Sequence, residues 1–252
     1  MIRLTLSLAA LALATTAACP HAMADPPPHP LASFSAAKRV ARDVIFAGHA
    51  IDFYCGCAYT PVSASGGKIE ANACGYEARK SAARGKKLEW EHIMPAFFFG
   101  HDRQCWTNPG SFSRCLRADG TKLPGRACCE RVDEEFSRIE SDLHNLVPAV
   151  GELNGDRSNL PYGVVDGEPR LYGACDFEIG GSPKVTEPPD TVRGDAARVW
   201  LYMSATYDIP LPAEMRSMFK DWSAADPVDA WEKLRDQRVK AAQGNSNPNV
   251  AP

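Results

Sequence analysis

Beyond its first two dozen residues this 252-residue sequence has no apolar run long enough to cross a bilayer, which excludes an integral membrane protein with internal spans. It has no internal repeat, so solenoids and arrays are excluded. It has no excess of base: 28 Lys and Arg face 31 Asp and Glu, so any attraction to a polyanion must be local. No C-x2-C pair is followed by a second one, so the usual structural zinc pattern is missing. Disorder is excluded as well, because 44% of the residues are apolar and only 23% are charged.

What is present begins with Arg3, the apolar stretch "LTLSLAALALATTAA" and a small-x-small "AMA" at Ala22–Ala24. That pattern predicts a secretory signal at 1–24, removed after Ala24, and a periplasmic or secreted protein with no membrane span afterwards. Lipidation at Cys19 and an uncleaved anchor are the alternatives. Without that segment the chain keeps 27 bases, 31 acids and eight cysteines: Cys55, Cys57, Cys74, Cys105, Cys115, Cys128, Cys129 and Cys175. An even count in an exported chain favours disulfides. Mutual pairing within "CGC" or within Cys128–Cys129 is strained, so distant partners are expected, with a zinc site as the competing reading.

Residues 25–33, opening "DPPPHP", predict an irregular leader. Phe34, Val40, Val44 and Ile45 then fall at helical spacing, with Ser35 as a cap candidate. "KKLEWEHIMP" reads as a strand that ends near Met94, ahead of Pro95. Residues 107–131 read as a loop. Val132, Phe136, Ile139 and Leu143 mark one face of a single helix closed by Val147–Pro148. Three helices follow near Asp195–Tyr207, Pro212–Trp222 and Pro227–Lys240, the last with Asp226 as cap, and the tail 243–252 reads as irregular.

The stretch "LEWEHIMPAFFFGHDRQCW" sets Glu91 and His92 side by side in an apolar run. Successive strand residues face opposite ways, so both can serve one site only where the strand bulges or ends. The plainer reading is a surface Glu beside a packed His. A second polar cluster, "SDLHNLVPAVGELNGDRSN", offers His144, Asn145, Glu152, Asn154, Asp156, Arg157 and Asn159. Carboxylate and amide oxygens suit Mg²⁺, with Ca²⁺ or Mn²⁺ able to take its place. A neutral imidazole beside such an ion can take a proton from water, which makes phosphodiester hydrolysis reasonable chemistry. From Arg79 to Arg126 ten bases stand against four acids, a local match to a polyanion. Arg79 and Lys80 belong to that set, and His101, Arg103 and Arg157 are further candidates for contact with nucleic acid. His144 and Asn145 read as structural hydrogen-bonders, and Trp90 and Trp106 as either buried or stacked on bases.

Taken together, "FYCGC" (53–57), "CGY" (74–76), "EWEHIMPA" (89–96), "FGHDRQCW" (99–106), "ESDLHNLVPAVGELNGDRSN" (140–159) and "QGNSNPNV" (243–250) resemble the endonuclease I family of secreted or periplasmic bacterial nucleases. The resemblance spans nearly the whole chain after the signal. It implies a mixed α/β, α+β fold, one nuclease domain over 25–252 with a ββα-metal motif, C-terminal helices and disulfide-stapled loops. It also implies a monomeric, Mg²⁺-dependent enzyme that cuts DNA and RNA with little sequence preference and leaves 5′-phosphate ends. By position, His92 matches the general base and Glu91 and Asn154 the metal ligands. The family carries a phosphate-binding arginine shortly before the cysteine matching Cys115; here the nearest base is Arg114, directly beside that cysteine. The loop Leu116–Arg131 is longer than in the family and Lys233 replaces a cysteine, so bridge pairing does not carry over. Another metal-assisted phosphoesterase, or an inactive disulfide-rich nucleic-acid-binding module, are the alternative functions.

Overall fold

In the computed structural model, which describes residues 31–63, 66–167 and 169–251, the chain enters its first helix, α1 (Phe34–Val40), at Ser33. The Ser33 hydroxyl, rather than Ser35, accepts the Ala36 N–H at 3.2 Å and caps the helix. The helix runs on into a π-helical turn at Ala41–Ile45. Ala37, Ala41 and Ile45, four apart, are the residues it buries. The segment expected to be a signal, 1–24, and residues 25–30 lie outside the described residues.

Four antiparallel strands follow in the order β1 (Tyr59–Ser63), β2 (Gly66–Ile69), β3 (Lys87–His92) and β4 (Leu146–Val150), with helix α2 (Ala82–Gly85) between β2 and β3. Strand β4 is a correction to the sequence reading, which put Val147 and Pro148 at a helix end. Pro148 offers no ladder N–H, which an edge strand tolerates, and β4 is the edge of this sheet. Its register pairs Trp90 with Pro148 and His92 with Leu146.

Between β3 and β4 lie α3 (Ala96–Gly100), α4 (Gln104–Thr107), α5 (Gly125–Val132) and α6 (Glu134–Glu140). The single helix expected across 132–143 is thus two. Asp133 adopts an extended backbone and its side chain accepts the Phe136 N–H, so a new helix starts there. Helix α5 also falls inside the stretch read as loop. Phe136, Ile139 and Leu143 still face the core.

Strand β4 leads directly into α7 (Gly151–Arg157). A small hairpin, β5 (Glu178–Gly180) and β6 (Val185–Glu187), precedes α8 (Arg193–Thr206), α9 (Ala213–Ala225) and α10 (Ala230–Gln243). Helix α8 is buried along most of its length, and its Arg198 is compensated by Glu232 at 2.5 Å. Helix α10 starts three residues later than the sequence suggests: Asp229 and Glu232 form a capping box. Asp226 instead caps the approach to α8, accepting the Gly194 N–H. Gly244 takes the left-handed conformation that ends α10. The tail beyond is irregular but tied down, with Asn247 N–H donating to Asp236 at 2.7 Å.

All eight cysteines among the described residues are in disulfides: Cys55–Cys175, Cys57–Cys74, Cys105–Cys129 and Cys115–Cys128. Among the described residues the Asp52, Cys55 and Cys57 grouping therefore has no thiolate to offer zinc. No described helix is long and apolar enough to cross a membrane. One continuous core joins sheet and helices into a single α+β domain.

Candidate active site

Strands β3 and β4 and helix α7 make a ββα unit, and at its end Glu91, His92 and Asn154 line one pocket of about 110 Å³. Adjacent residues share it because β3 stops at His92. Asn145 enforces the stop: its carbonyl accepts the Ile93 N–H, while its side-chain amide bonds both the N–H and the carbonyl of Met94. The chain then turns through Pro95 into α3.

Glu91 is 3% exposed, and burial pushes its carboxyl upward against the opposing pull of Arg157. Its Oε1 accepts from Arg157 at 2.6 Å and from the Tyr54 hydroxyl at 2.9 Å. Its Oε2 is buried and has no hydrogen-bond partner. An orphaned carboxylate oxygen is costly unless a cation takes it up. Asn154 lines the same pocket and has an amide oxygen to offer, so the available donor set is all oxygen and small, which fits an ion that keeps most of its waters.

His92 presents one nitrogen to a carbonyl. Nε2 lies 2.7 Å from the backbone oxygen of Glu140, which can only accept, so Nε2 carries the proton and Nδ1 the lone pair. Burial, then the charges of Arg126 and Lys38, lower its pKa to about 3. Phe34 covers the ring at a centroid distance of 4.7 Å. The imidazole is thus neutral and fixed in one tautomer, as a proton acceptor must be.

The other residues singled out in the sequence are dispersed. Arg157 lies in α7 but is 1% exposed, spent on Glu91 and on the carbonyls of His92 and Ile93; it has no surface for nucleic acid. Arg79 and Lys80 pair with Asp156 at the flank of α7. Arg103 is held by Asp133 and Glu135, and His101 stacks on Phe97; both line a different cavity. Arg114 also lines a separate cavity, with Glu130 and Arg131. His144 and Asn145 are structural. Trp90 is buried, and Trp106 packs on Phe136.

Sequence reasoning missed four contributors. Tyr54 sat unremarked inside "FYCGC", although a buried tyrosine needs a partner for its hydroxyl. Glu140 looked like an ordinary helix carboxylate, and only its backbone and its burial reveal it. Phe34 looked like core. Arg126 was one of ten bases, and its place in this pocket depends on the disulfides around it.

Residues 37–252 match the family described as Endonuclease I. The chain is 39% identical over 221 residues, 86% of it and 87% of the other, to an extracellular deoxyribonuclease of Aeromonas hydrophila. It is 38% identical to a periplasmic deoxyribonuclease of the same species, covering 84% of each chain. Endonuclease-1 of Buchnera aphidicola subsp. Acyrthosiphon pisum is 40% identical over 198 residues, 79% of this chain and 72% of the other. With the sequence motifs, the ββα unit and this match agreeing, the chain belongs to the endonuclease I family.

Proposed function

We propose that this protein is an exported, Mg²⁺-dependent endonuclease that hydrolyses phosphodiester bonds in DNA and RNA with little sequence preference. One observation carries the reading: His92 with a neutral imidazole, Glu91 with a partnerless carboxylate oxygen, and Asn154 line a single pocket in a family whose relatives are named as deoxyribonucleases. Four disulfides suit an oxidising compartment, in line with the extracellular and periplasmic names of those relatives.

Glu91 Oε2 and Asn154 Oδ1 would hold the ion. When bound, Mg²⁺ supplies positive charge for the scissile phosphate and the leaving 3′ oxygen. Tyr54 and Arg157 fix the other oxygen of Glu91, so its carboxylate keeps one orientation. His92 Nδ1 takes a proton from a water as that water's oxygen bonds to phosphorus. The bond from phosphorus to the 3′ oxygen breaks, the leaving oxygen takes a proton from solvent water, and the products carry a 5′-phosphate and a 3′-hydroxyl. The Glu140 carbonyl stabilises the imidazolium that forms. General-base catalysis of this kind contributes about 10²- to 10⁴-fold in rate.

Supercoiled plasmid incubated with the mature protein and Mg²⁺ should be nicked and then linearised. Chelator should stop this, and His92→Ala should bind DNA without cutting it. Unimpaired cutting by His92→Ala would remove His92 from its role; cutting in full chelation would remove the metal.

A further inference from the structure

We propose that a second cavity, lined by aromatic residues and aspartates and adjoining Glu91 through Tyr54, binds a small organic cation of the alkylammonium class. The inference stands apart from the nuclease reading.

The cavity holds about 370 Å³, against about 110 Å³ for the active-site pocket, and falls within the range that takes a small ligand. Phe46, Phe53, Tyr54 and Trp231 line it, together with Asp52, Asp176, Asp195 and Asp229; no lysine or arginine does. His49, also in the lining, stacks on Trp231 at 3.6 Å, and burial lowers its pKa, so it adds no positive charge at neutral pH. Aromatic faces attract cations through the ring quadrupole. The same rings already do so on other sides: Arg235 lies over Phe46 at 5.9 Å and Arg238 over Trp231 at 5.8 Å. Both guanidinium groups are spent on backbone carbonyls, and neither residue lines the cavity.

The four aspartates are unequally satisfied. Asp52 takes three backbone N–H groups, and Asp176 is paired with Arg170. Asp195 receives Arg198 on Oδ1 at 3.1 Å, and Asp229 takes the Glu232 N–H on Oδ1 at 2.7 Å. In both, Oδ2 has no hydrogen-bond partner among the described residues. Burial, and then the charge of Glu232, push the Asp195 carboxyl up to about 8 against the pull of Arg198, with Asp226 and Asp229 adding to the rise. So much negative charge favours a cationic occupant and repels a phosphate, so the cavity is no subsite for a polyanion.

A bare metal ion fits poorly. Among the described residues no three of these carboxylates come within metal-ligand distance of one another, and a hard cation needs several oxygens at once. An ammonium group on a carbon chain meets both features of the lining, charge for the aspartates and methylenes for the rings. Its position matters to the neighbouring site. Tyr54 lines this cavity while its hydroxyl donates to Glu91 Oε1 at 2.9 Å, and the Cys55–Cys175 bridge forms part of the wall. An occupant therefore rests beside the residue that orients the Glu91 carboxylate.

The test is calorimetric titration of the mature, disulfide-intact protein, free of divalent metal and at low salt, with 1,5-diaminopentane and with uncharged 1,5-pentanediol of the same length. The diamine should bind one to one, and the diol at least about 10-fold more weakly. Asp195→Asn, and Asp229→Asn with a side chain that still caps α10, should each weaken the diamine by about 10-fold, the scale of one charge-assisted contact. Trp231→Leu keeps apolar surface but removes the π face, and should weaken it by about 5-fold. Glu134→Gln removes an equal charge from a different cavity and should leave binding unchanged. In a ¹H–¹⁵N spectrum the diamine should shift the indole resonance that is missing from Trp231→Leu. Absence of saturable binding, equal affinity for the diol, or wild-type affinity in both asparagine variants overturns the proposal. A loss in Glu134→Gln as large as theirs overturns it too, since it reduces binding to diffuse charge attraction. The comparison of diamine with diol uses the wild type alone, so it decides the matter even where a variant fails to fold.

Discussion

The side-chain amide of Asn154 donates through Nδ2 to Glu89 Oε2 at 3.0 Å, which turns its Oδ1 away from that carboxylate. Glu89 and Glu91 are two apart on β3, so they share a face of the strand. One orients the amide and the other holds the partnerless oxygen. Glu89 is itself anchored by Arg84 at 2.7 Å. Glu89→Ala should therefore weaken metal binding by about 10- to 100-fold, the usual effect of losing a group that orients a ligand. Calorimetric titration with Mn²⁺ measures this directly. Wild-type affinity in the variant would mean that Asn154 needs no such support.

Arg157 sits opposite Glu91 with both side chains out of water. Removing one partner of a buried pair leaves the other charge uncompensated, at a cost of about 3–5 kcal/mol. Arg157→Met should accordingly lower stability by that order in urea denaturation. Adding Glu91→Gln should recover part of the loss, because the stranded charge is gone. A double variant less stable than Arg157→Met would contradict this account.

What the sequence made legible was β3 and the last three helices, from a proline stop and apolar residues at helical spacing, and, through the family resemblance, the joining of 91, 92 and 154 in one pocket. Strand β4 was not legible because its five residues carry a proline and pair with a strand more than fifty positions away, which local pattern does not encode. The role of Arg157 was hidden for the opposite reason. An arginine beside an aspartate suggests a surface, yet the turn of α7 sends the aspartate to Arg79 and the arginine inward. Arg126 needed the disulfide pairing, and eight cysteines allow far too many pairings to choose from.

Asp52 gives a stability prediction with a definite sign. It is 2% exposed, and burial raises its pKa from 3.8 to about 6 despite hydrogen bonds from the N–H groups of Cys55, Cys57 and Tyr54. An acid that holds its proton more tightly when folded contributes most below its unfolded pKa, and that contribution is lost as pH rises through the folded value. Between pH 4 and pH 7.5 the wild type should therefore lose up to about 3 kcal/mol through this group. Asp52→Asn cannot titrate and should lack this component. Urea midpoints of both proteins at the two pH values give the comparison, with disulfides kept oxidised; parallel pH dependences would show that Asp52 does not titrate in this range.

Phe34 provides the last prediction, because its ring lies on the imidazole that the mechanism needs unprotonated. The largest cause of the low His92 pKa is burial, and α1 supplies part of that burial through Phe34. Replacing Phe34 by alanine admits water to the ring, so the pKa should climb from about 3 toward its ordinary 6.5. A base works only when deprotonated, so activity falls below its pKa. In the wild type His92 stays neutral at pH 5, and its protonation causes no loss of rate there. In Phe34→Ala the rate at pH 5, relative to pH 8, should drop several-fold further than in the wild type. The pH dependence of kcat/KM for plasmid nicking reads this, and the histidine ring resonances in a ¹H–¹⁵N spectrum read it independently of activity. Identical acid limbs and an unmoved His92 resonance in the variant would show that Phe34 does not control the protonation of the base.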